Sequence, residues 1–533
     1  MLFNSYEFIL GFLPVVAVIF FLLGRTSRVW ALRWLTLSSL FFYAWWRPFN
    51  VVIIVPAILI NYGLARAILQ ANGKDDRRSA TMCLVLGIVF NVAFLGYFKY
   101  ANFAATVSND VFGTEFVLSQ IILPLGISFI TFQKIALLVD AHGGRVEHIS
   151  FEDYCLFVLF FPQLIAGPIV HYRELLPQFH RFTCIVDREN LSVGVTLFLF
   201  GLFKKLVLAD GIAPFVSSIY DQASAGGALS LLPAWMAAAG FTLQIYFDFS
   251  GYTDMALGSA RVFGIRLPPN FDSPLKASSI IEFWSRWHMT LTRFLTAYVY
   301  NPLLVWLTRR RLARGLPGYR ERPTAGAFVE LLLLPTLLTM FLSGVWHGAG
   351  YPFVLWGVLH GVFIVVNHAW RRVAPAAWTA RAAYTRPIGT VVTLLCVVVS
   401  MAIFRAPTIA VATELIGGMA GLNGIALPER IYAALGPLTP WLQQAGVTEG
   451  LGFDLPFVRL AAWIVLLSAI ALGLPNTLRM LRQHDPAVNW EPAAVDRSPK
   501  WQPSLAWAVV VAAVGVAGLS RLSAPSEFLY WQF

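Results

Sequence analysis

Two histidines stand where few polar residues belong. His288 lies in SSIIEFWSRWHMTLTRFLTAYVYNPL and His347 in FLSGVWHGAGYPFVLWGVLHG, each next to a tryptophan. An imidazole titrates near neutral pH, so it can take a proton from a hydroxyl and return it to a leaving group. The small residues around His347 leave room for a ligand to approach the backbone. A second reading stands beside this one: His347 caps a helix end, and His288 is a hydrogen-bonded structural histidine. His360, further along the same apolar run, reads as structural. Asp248 and Asp254 follow another apolar run, in YFDFSGYTDMALG. Ionisable groups in an apolar environment require a partner, and Arg261, Arg266 and Arg286 are the nearby candidates. The carboxylates read as a structural ion network, a cation site or direct chemistry.

Glu282 and Arg286 are four residues apart and can pair on one helix face. Ser278 or Ser279 can cap that helix, and Trp284, Trp287 and Leu291 line another face. The spacing predicts one amphipathic helix through 278–302, at an interface or lining a polar cavity. Arg286 and Arg293 also read as snorkelling or lipid-headgroup contacts. Absences narrow the chemistry. The chain has no phosphate-binding loop, no dinucleotide fingerprint and no nucleophile elbow. It has no His-x-x-x-His or cysteine-rich ligand set, so no metal is expected. Its four cysteines are scattered without a disulfide framework.

The elements that hold these residues follow from composition. Of 533 residues, 58% are hydrophobic and only 13% charged, against roughly half and a quarter in soluble domains. Mean hydropathy is +0.67. So few charges exclude a cytosolic globular enzyme, a disordered chain and a fibrous repeat. The 18 Trp, 17 Tyr and 42 Phe suit membrane interfaces. The net charge of +11 reads as basic cytoplasmic loops, not nucleic-acid binding. Charge-free windows long enough to span occur at 8–24, 48–65, 79–98, 116–133, 154–172, 222–247, 387–404, 460–478 and 501–520. The run 331–370 holds two helices with a break near SGVWHGAGYP, and 191–207 is a further candidate. Segment 34–46 reads as half of a hairpin. The sum is an all-α, polytopic membrane protein with about 11–13 membrane segments, some re-entrant.

Basic loops set the expected orientation. Arg309, Arg310, Arg311, Arg314, Arg320 and Arg322 face one acid, Glu321, and Arg371, Arg372, Arg381 and Arg386 face none. Both loops are expected in the cytoplasm, which places His347 toward the other side. The loop 406–457, with Glu414, Glu429, Glu449 and Asp454 against Arg430, is expected outside. Arg25, Arg28 and Arg33 place the end of the first helix inside and the N-terminus extracytoplasmic. The N-terminal stretch lacks a basic n-region and a small-residue cleavage site, and reads as a retained membrane helix.

The chain resembles the membrane-bound O-acyltransferase family, most closely its bacterial branch with the alginate O-acetyltransferase membrane subunit and the teichoic-acid D-alanylation membrane protein. The resemblance rests on PLGISFITFQ (124–133), FFPQLIAGPIVHYRE (160–174), YFDFSGYTDMALG (246–258), NFDSPLKASSIIEFWSRWHMTLTRFLTAYVYNPL (270–303) and SGVWHGAGYPFVLWGVLHG (343–361), in order along the chain. It covers 1–370 as a core and extends more loosely through the helices of 387–520, within a single membrane domain. It implies a ring of helices around a central tunnel, with His347 as the active-site histidine and His288 as the second polar residue. Trp284, Trp287, Trp346, Asp248, Asp254 and Arg286 become substrate or tunnel candidates. It implies an O-acetyltransferase of a bacterial inner membrane, using acetyl-coenzyme A or another acyl thioester as cosubstrate with no bound cofactor. The acceptor would be an exopolysaccharide or an extracytoplasmic partner protein. The Gly-rich turn that many alginate-type members carry after the His288 segment is replaced here by AYVYNPLLVWLTRRRLARG, which loosens the link to alginate. Competing readings are D-alanyl or protein acyl transfer, a non-catalytic scaffold, and a transporter using the intramembrane Asp and His residues. No internal repeat supports transport.

Overall fold

The computed structural model describes all residues except 120, 182–184, 320–323, 376–381, 451–453, 492–497, 527–528 and 530–533. Arg320, Glu321, Arg322 and Arg381 therefore lie outside the described residues. The architecture is almost wholly helical. Among the described residues, eight helices are long and apolar enough to cross a membrane. They are α1 (Glu7–Gly24), α3 (Phe49–Gly73), α4 (Arg77–Phe112), α6 (Arg188–Ser224), α11 (Ala325–His347), α12 (Tyr351–Val373), α13 (Ala382–Arg405, apolar span Tyr384–Arg405) and α15 (Asp454–Gly473, apolar span Pro456–Gly473). Between them lie α2 (Arg28–Ala44), α5 (Ile127–His142), α7 (Leu231–Val262), α8 (Ile280–Arg286), α9 (Met289–Leu295), α10 (Asn301–Ala313) and α14 (Ile409–Met419), and α16 (Leu505–Leu519) follows them. One small parallel pair, β1 (Ile425–Leu427) on β2 (Val447–Glu449), sits between α14 and α15.

Several sequence windows resolve differently. The window 116–133 is not one span: a turn at Pro124–Gly126 precedes α5, which begins only at Ile127. The window 154–172 breaks into the helices Phe151–Leu159 and Phe161–Leu164, then an irregular buried segment. Pro162, Gly167 and Pro168 explain this, because proline removes an amide donor and glycine carries no helical bias. The window 222–247 shifts along the chain to α7. That helix is buried on nearly every side from Pro233 to Val262, so it meets protein rather than lipid. The expected break in 331–370 is present at Gly348–Gly350, between α11 and α12.

Helix α7 organises the interior. Its C-terminal half, from Tyr252 to Val262, belongs to one apolar core with α1, α2 and α5. Its N-terminal half, from Ala234 to Phe249, belongs to a second core with α13 and α14. Against α7 lies α6, and glycine makes the contact close. A Cβ on Gly201 would fall 2.5 Å from the Gly251 carbonyl oxygen, and one on Gly258 the same distance from the Gly194 carbonyl oxygen. Small residues of this kind let membrane helices approach backbone to backbone.

At that seam two lysines of α6 reach two aspartates of α7. Lys204 Nζ lies 2.6 Å from Asp254, and Lys205 Nζ lies 2.6 Å from both Asp248 and Asp210. Thr477 also donates to Asp254 at 2.7 Å. The partners of Asp248 and Asp254 are therefore lysines, not the arginines expected from local sequence. Arg261 instead donates to the carbonyls of His484 and Asp485, Arg266 pairs with Asp485 at 3.3 Å, and Arg286 pairs with Glu282. Local sequence does not point to these lysines, because they lie on a different helix, far away in sequence.

Gly201→Val is expected to destabilise the protein by about 1–3 kcal/mol or more through forced separation of α6 and α7. Gly63→Ala, where an added Cβ meets nothing within 4 Å, is expected to be neutral or slightly stabilising. Thermal unfolding of both purified variants in detergent checks this; equal melting temperatures would contradict the close-contact account.

Candidate active site

The predicted helix through 278–302 is interrupted where the chemistry lies. Ser279 caps α8, its Oγ accepting from the Glu282 amide at 3.2 Å. Glu282 closes the start of the helix by accepting from the Ser278 amide at 2.8 Å and hydroxyl at 2.7 Å, and it pairs with Arg286 at 2.6 Å. The helix then stops. Trp287 is extended, and His288 takes the left-handed conformation at φ 43°, ψ 51°. A non-glycine residue there is uncommon and persists only when its surroundings fix it. Asn270 does much of the fixing. Its carbonyl accepts from the Met289 amide at 3.0 Å, and its side-chain oxygen accepts from Thr290 Oγ1 at 2.6 Å. Thr290 Oγ1 in turn accepts from the Ile169 amide at 3.0 Å. Sequence spacing does not point to Asn270, because only the fold brings it beside residue 289.

His347 is the last residue of α11. Helix ends leave carbonyls without intrahelical partners, and α4 supplies donors for them. Lys99 Nζ donates to the carbonyls of Trp346 and His347, and Tyr100 Oη donates to the Val345 carbonyl at 2.8 Å. The lysine charge also complements the negative end of the helix dipole. Lys99 and Tyr100 lie on a π-helical turn, Gly96–Tyr100, which interrupts α4. Neither was a sequence candidate; a lysine closing the apolar run 79–98 was the available signal. On its other side α11 meets α12 closely: a Cβ on Gly344 would fall 2.3 Å from the Phe353 carbonyl oxygen.

These two interruptions converge. The His288 and His347 rings lie 6.2 Å apart, inclined at 63°. His288 is fully buried and His347 is 5% exposed. Trp346 touches both, at 4.9 Å from His347 and 5.8 Å from His288. Phe249 of α7 closes on His288 at 4.8 Å, and Trp356 and Phe404 close on His347 at 5.1 and 5.3 Å. Trp346 belongs to the first apolar core and Trp356 and Phe404 to the second, so the histidine pair occupies the boundary between the two.

The other candidates separate by position. Trp284 donates through Nε1 to His360 Nδ1 at 3.2 Å, and His360 Nε2 lies 2.9 Å from Ser400 Oγ. Ser400 donates to the Val397 carbonyl at 2.7 Å. With Nδ1 accepting, the chain of donors makes His360 a neutral imidazole with its proton on Nε2. His360 is thus held between Trp284 and Ser400. Trp287 stacks on Phe283 at 5.5 Å and meets the Phe271 ring edge-on at 5.0 Å. Arg286, Asp248 and Asp254 are each engaged in ion pairs. Among the described residues no group of three or more His, Cys, Asp or Glu side chains is placed to hold a metal ion.

The fold thus sets two buried imidazoles in an aromatic shell at two interruptions of membrane helices. The comparisons with known proteins say which class of membrane protein this is. Residues 80–315 match the model of the MBOAT, membrane-bound O-acyltransferase, family. That match includes His288 and ends before His347. The chain is 38% identical to the peptidoglycan O-acetyltransferase of Helicobacter pylori, over 80% of this chain and 81% of that protein. It is 32% identical over the full length of both chains to the probable alginate O-acetylase AlgI of Pseudomonas aeruginosa. The teichoic acid D-alanyltransferase of Bacillus subtilis is 27% identical over 45% of this chain and 58% of its own. The chain belongs to the membrane-bound O-acyltransferase family and is an acyltransferase.

Removing one member of a buried pair leaves an uncompensated charge. Lys205→Met is therefore expected to destabilise by about 3–5 kcal/mol, whereas Arg286→Met, at a partly exposed helix-face pair, is expected to change stability by about 1 kcal/mol or less. Melting temperatures of the two variants in the same detergent check this. Equal losses would show that the two pairs are energetically alike.

Proposed function

We propose that the protein transfers acetyl groups from a thioester donor to hydroxyls of an exopolysaccharide or cell-envelope polymer, directly or by way of an extracytoplasmic partner protein. The observation that carries this reading is the pairing of His288 and His347 in a buried aromatic chamber. It is supported by relatives named for O-acetyl transfer to peptidoglycan and, as probable alginate O-acetylases, to alginate.

In this reading the acceptor hydroxyl attacks the thioester carbonyl carbon. His347 takes the hydroxyl proton as the C–O bond forms. The tetrahedral intermediate collapses, the C–S bond breaks, and the proton passes from His347 to the departing sulfur. His288 holds the oxyanion or orients a reactant. Trp346, Trp356 and Phe404 exclude water, which would otherwise hydrolyse the thioester. Acetyl-coenzyme A or another acyl thioester serves as cosubstrate, and no resident cofactor or metal is invoked. The membrane is a bacterial inner membrane with the N-terminus extracytoplasmic. The donor then reaches the histidines from the arginine-rich face and the acceptor from the opposite one. That His347 lies toward the outer side is supported by Tyr351, which donates to Asp110 at the far end of α4 at 2.9 Å. Residues 1–370 form the acyltransferase core of a single membrane domain, with the 387–520 helices and the 406–457 loop as its more variable part. The transport reading loses its main support, because Asp248 and Asp254 are already neutralised by lysines.

Ester-linked acetate on envelope and secreted polymers is the readout. Deletion of the gene and His347→Ala, at matched membrane abundance, are both expected to abolish it, with His347→Ala lowering transfer about 100-fold or more. His288→Ala is expected to lower it substantially. Near-normal acetate in a folded His347→Ala protein would contradict the proposal.

A further inference from the structure

An apolar recess lies away from the histidines. A cavity of about 1000 Å³ opens between α8, α12 and α13. Its shaft is hydrocarbon-like, walled by Phe363, Val366, Ile388 and Val392. Its mouth is different in kind. Arg371 and Arg386 stand there with Trp370, and Trp370 is 44% exposed, as suits a tryptophan at headgroup level. Asn367 lies one helical turn deeper than Arg371, and its buried amide oxygen has no hydrogen-bond partner in the structure.

The charges at the mouth do not cancel. The acid in the lining is Glu282, which is engaged by Ser278 and Arg286 and also feels Arg386, so one carboxylate is shared among several guanidinium groups. Arg371 makes a 3.2 Å hydrogen bond to the neutral Ser279 hydroxyl, which fixes the side chain and leaves its charge uncompensated by that contact. A molecule matching this recess carries an anionic head and a long apolar chain joined within about one helical turn. Basic pockets between membrane helices bind anionic lipid headgroups for this reason.

We propose that this recess is a binding site for an anionic phospholipid. The phosphate is held by Arg371 and Arg386, and one acyl chain runs along Val366, Ile388 and Val392. The lipid bridges α12 and α13, on the helix that ends beside Ser279 and the cap of α8. It thereby joins the segment leading to His288 to the surrounding bilayer. The proposal stands whether or not the acetyl-transfer reading is correct.

Native mass spectrometry of the purified full-length protein, exchanged from a neutral detergent with phosphatidylglycerol or with phosphatidylcholine, tests it. The wild type is expected to retain phosphatidylglycerol in preference to phosphatidylcholine. The R371Q/R386Q double variant is expected to bind phosphatidylglycerol about thirtyfold more weakly, given the contribution of each basic residue near an anionic surface. Val392→Trp keeps both charges and fills the shaft; it is expected to lower retention of both lipids while melting as the wild type does. Unchanged phosphatidylglycerol binding in a folded double variant would overturn the proposal. So would displacement of the lipid by free coenzyme A, which would assign the arginines to a soluble phosphate instead.

Discussion

The close contact between α6 and α7 is the interaction on which the rest depends. Gly194 and Gly201 meet Gly258 and Gly251 with no space for a Cβ, and this proximity lets Lys204 and Lys205 reach Asp254 and Asp248. Neither feature works without the other. Inside a membrane an unpaired lysine or aspartate is expensive, and a glycine seam alone gives packing without register. Together they fix the height and rotation of α7. That helix then serves both apolar cores, and it brings Phe249 against His288.

From this frame the site is built by two deliberate failures of helix. Irregular backbone at membrane depth is tolerated only where protein satisfies it. At His288 the backbone is satisfied by Asn270, with Thr290 and Ile169 in the same network. At His347 it is satisfied by Lys99 and Tyr100 from α4. The two histidines are thus held by separate networks anchored in different parts of the chain. Their 6.2 Å separation is a property of the whole assembly rather than of either helix. This suits a site in which two reactants arrive from opposite directions and must meet at one spacing.

Much of this was legible in the sequence, and the exceptions share a cause. Membrane class, the α11–α12 break and the candidacy of His288 and His347, which the fold brings together, follow from apolar runs, glycines and intramembrane imidazoles. The Glu282–Arg286 pair followed from four-residue spacing and is present. What sequence could not provide was contact between distant segments. Asp248 and Asp254 were expected to find arginines nearby, yet their partners lie on α6. Lys99 and Asn270 carried no local signal strong enough to place them at the histidines. The left-handed His288 was hidden for a related reason: amphipathic spacing continues through 286–289, and only tertiary hydrogen bonds impose the break. The windows 116–133 and 154–172 misled because hydropathy ignores the prolines and glycines that interrupt them.

The central claim is that acyl transfer occurs across the membrane at the His288–His347 pair. Inverted inner-membrane vesicles from the native host, which enclose the polymer and any partner protein, test it most directly. Labelled acetyl-coenzyme A is supplied outside the sealed vesicles, and ester-linked label is measured on enclosed material. The account predicts lumenal acetyl ester in vesicles bearing the wild-type protein and none above background with His347→Ala at equal abundance. Equal labelling by the His347→Ala protein, or label confined to the donor side, would contradict it.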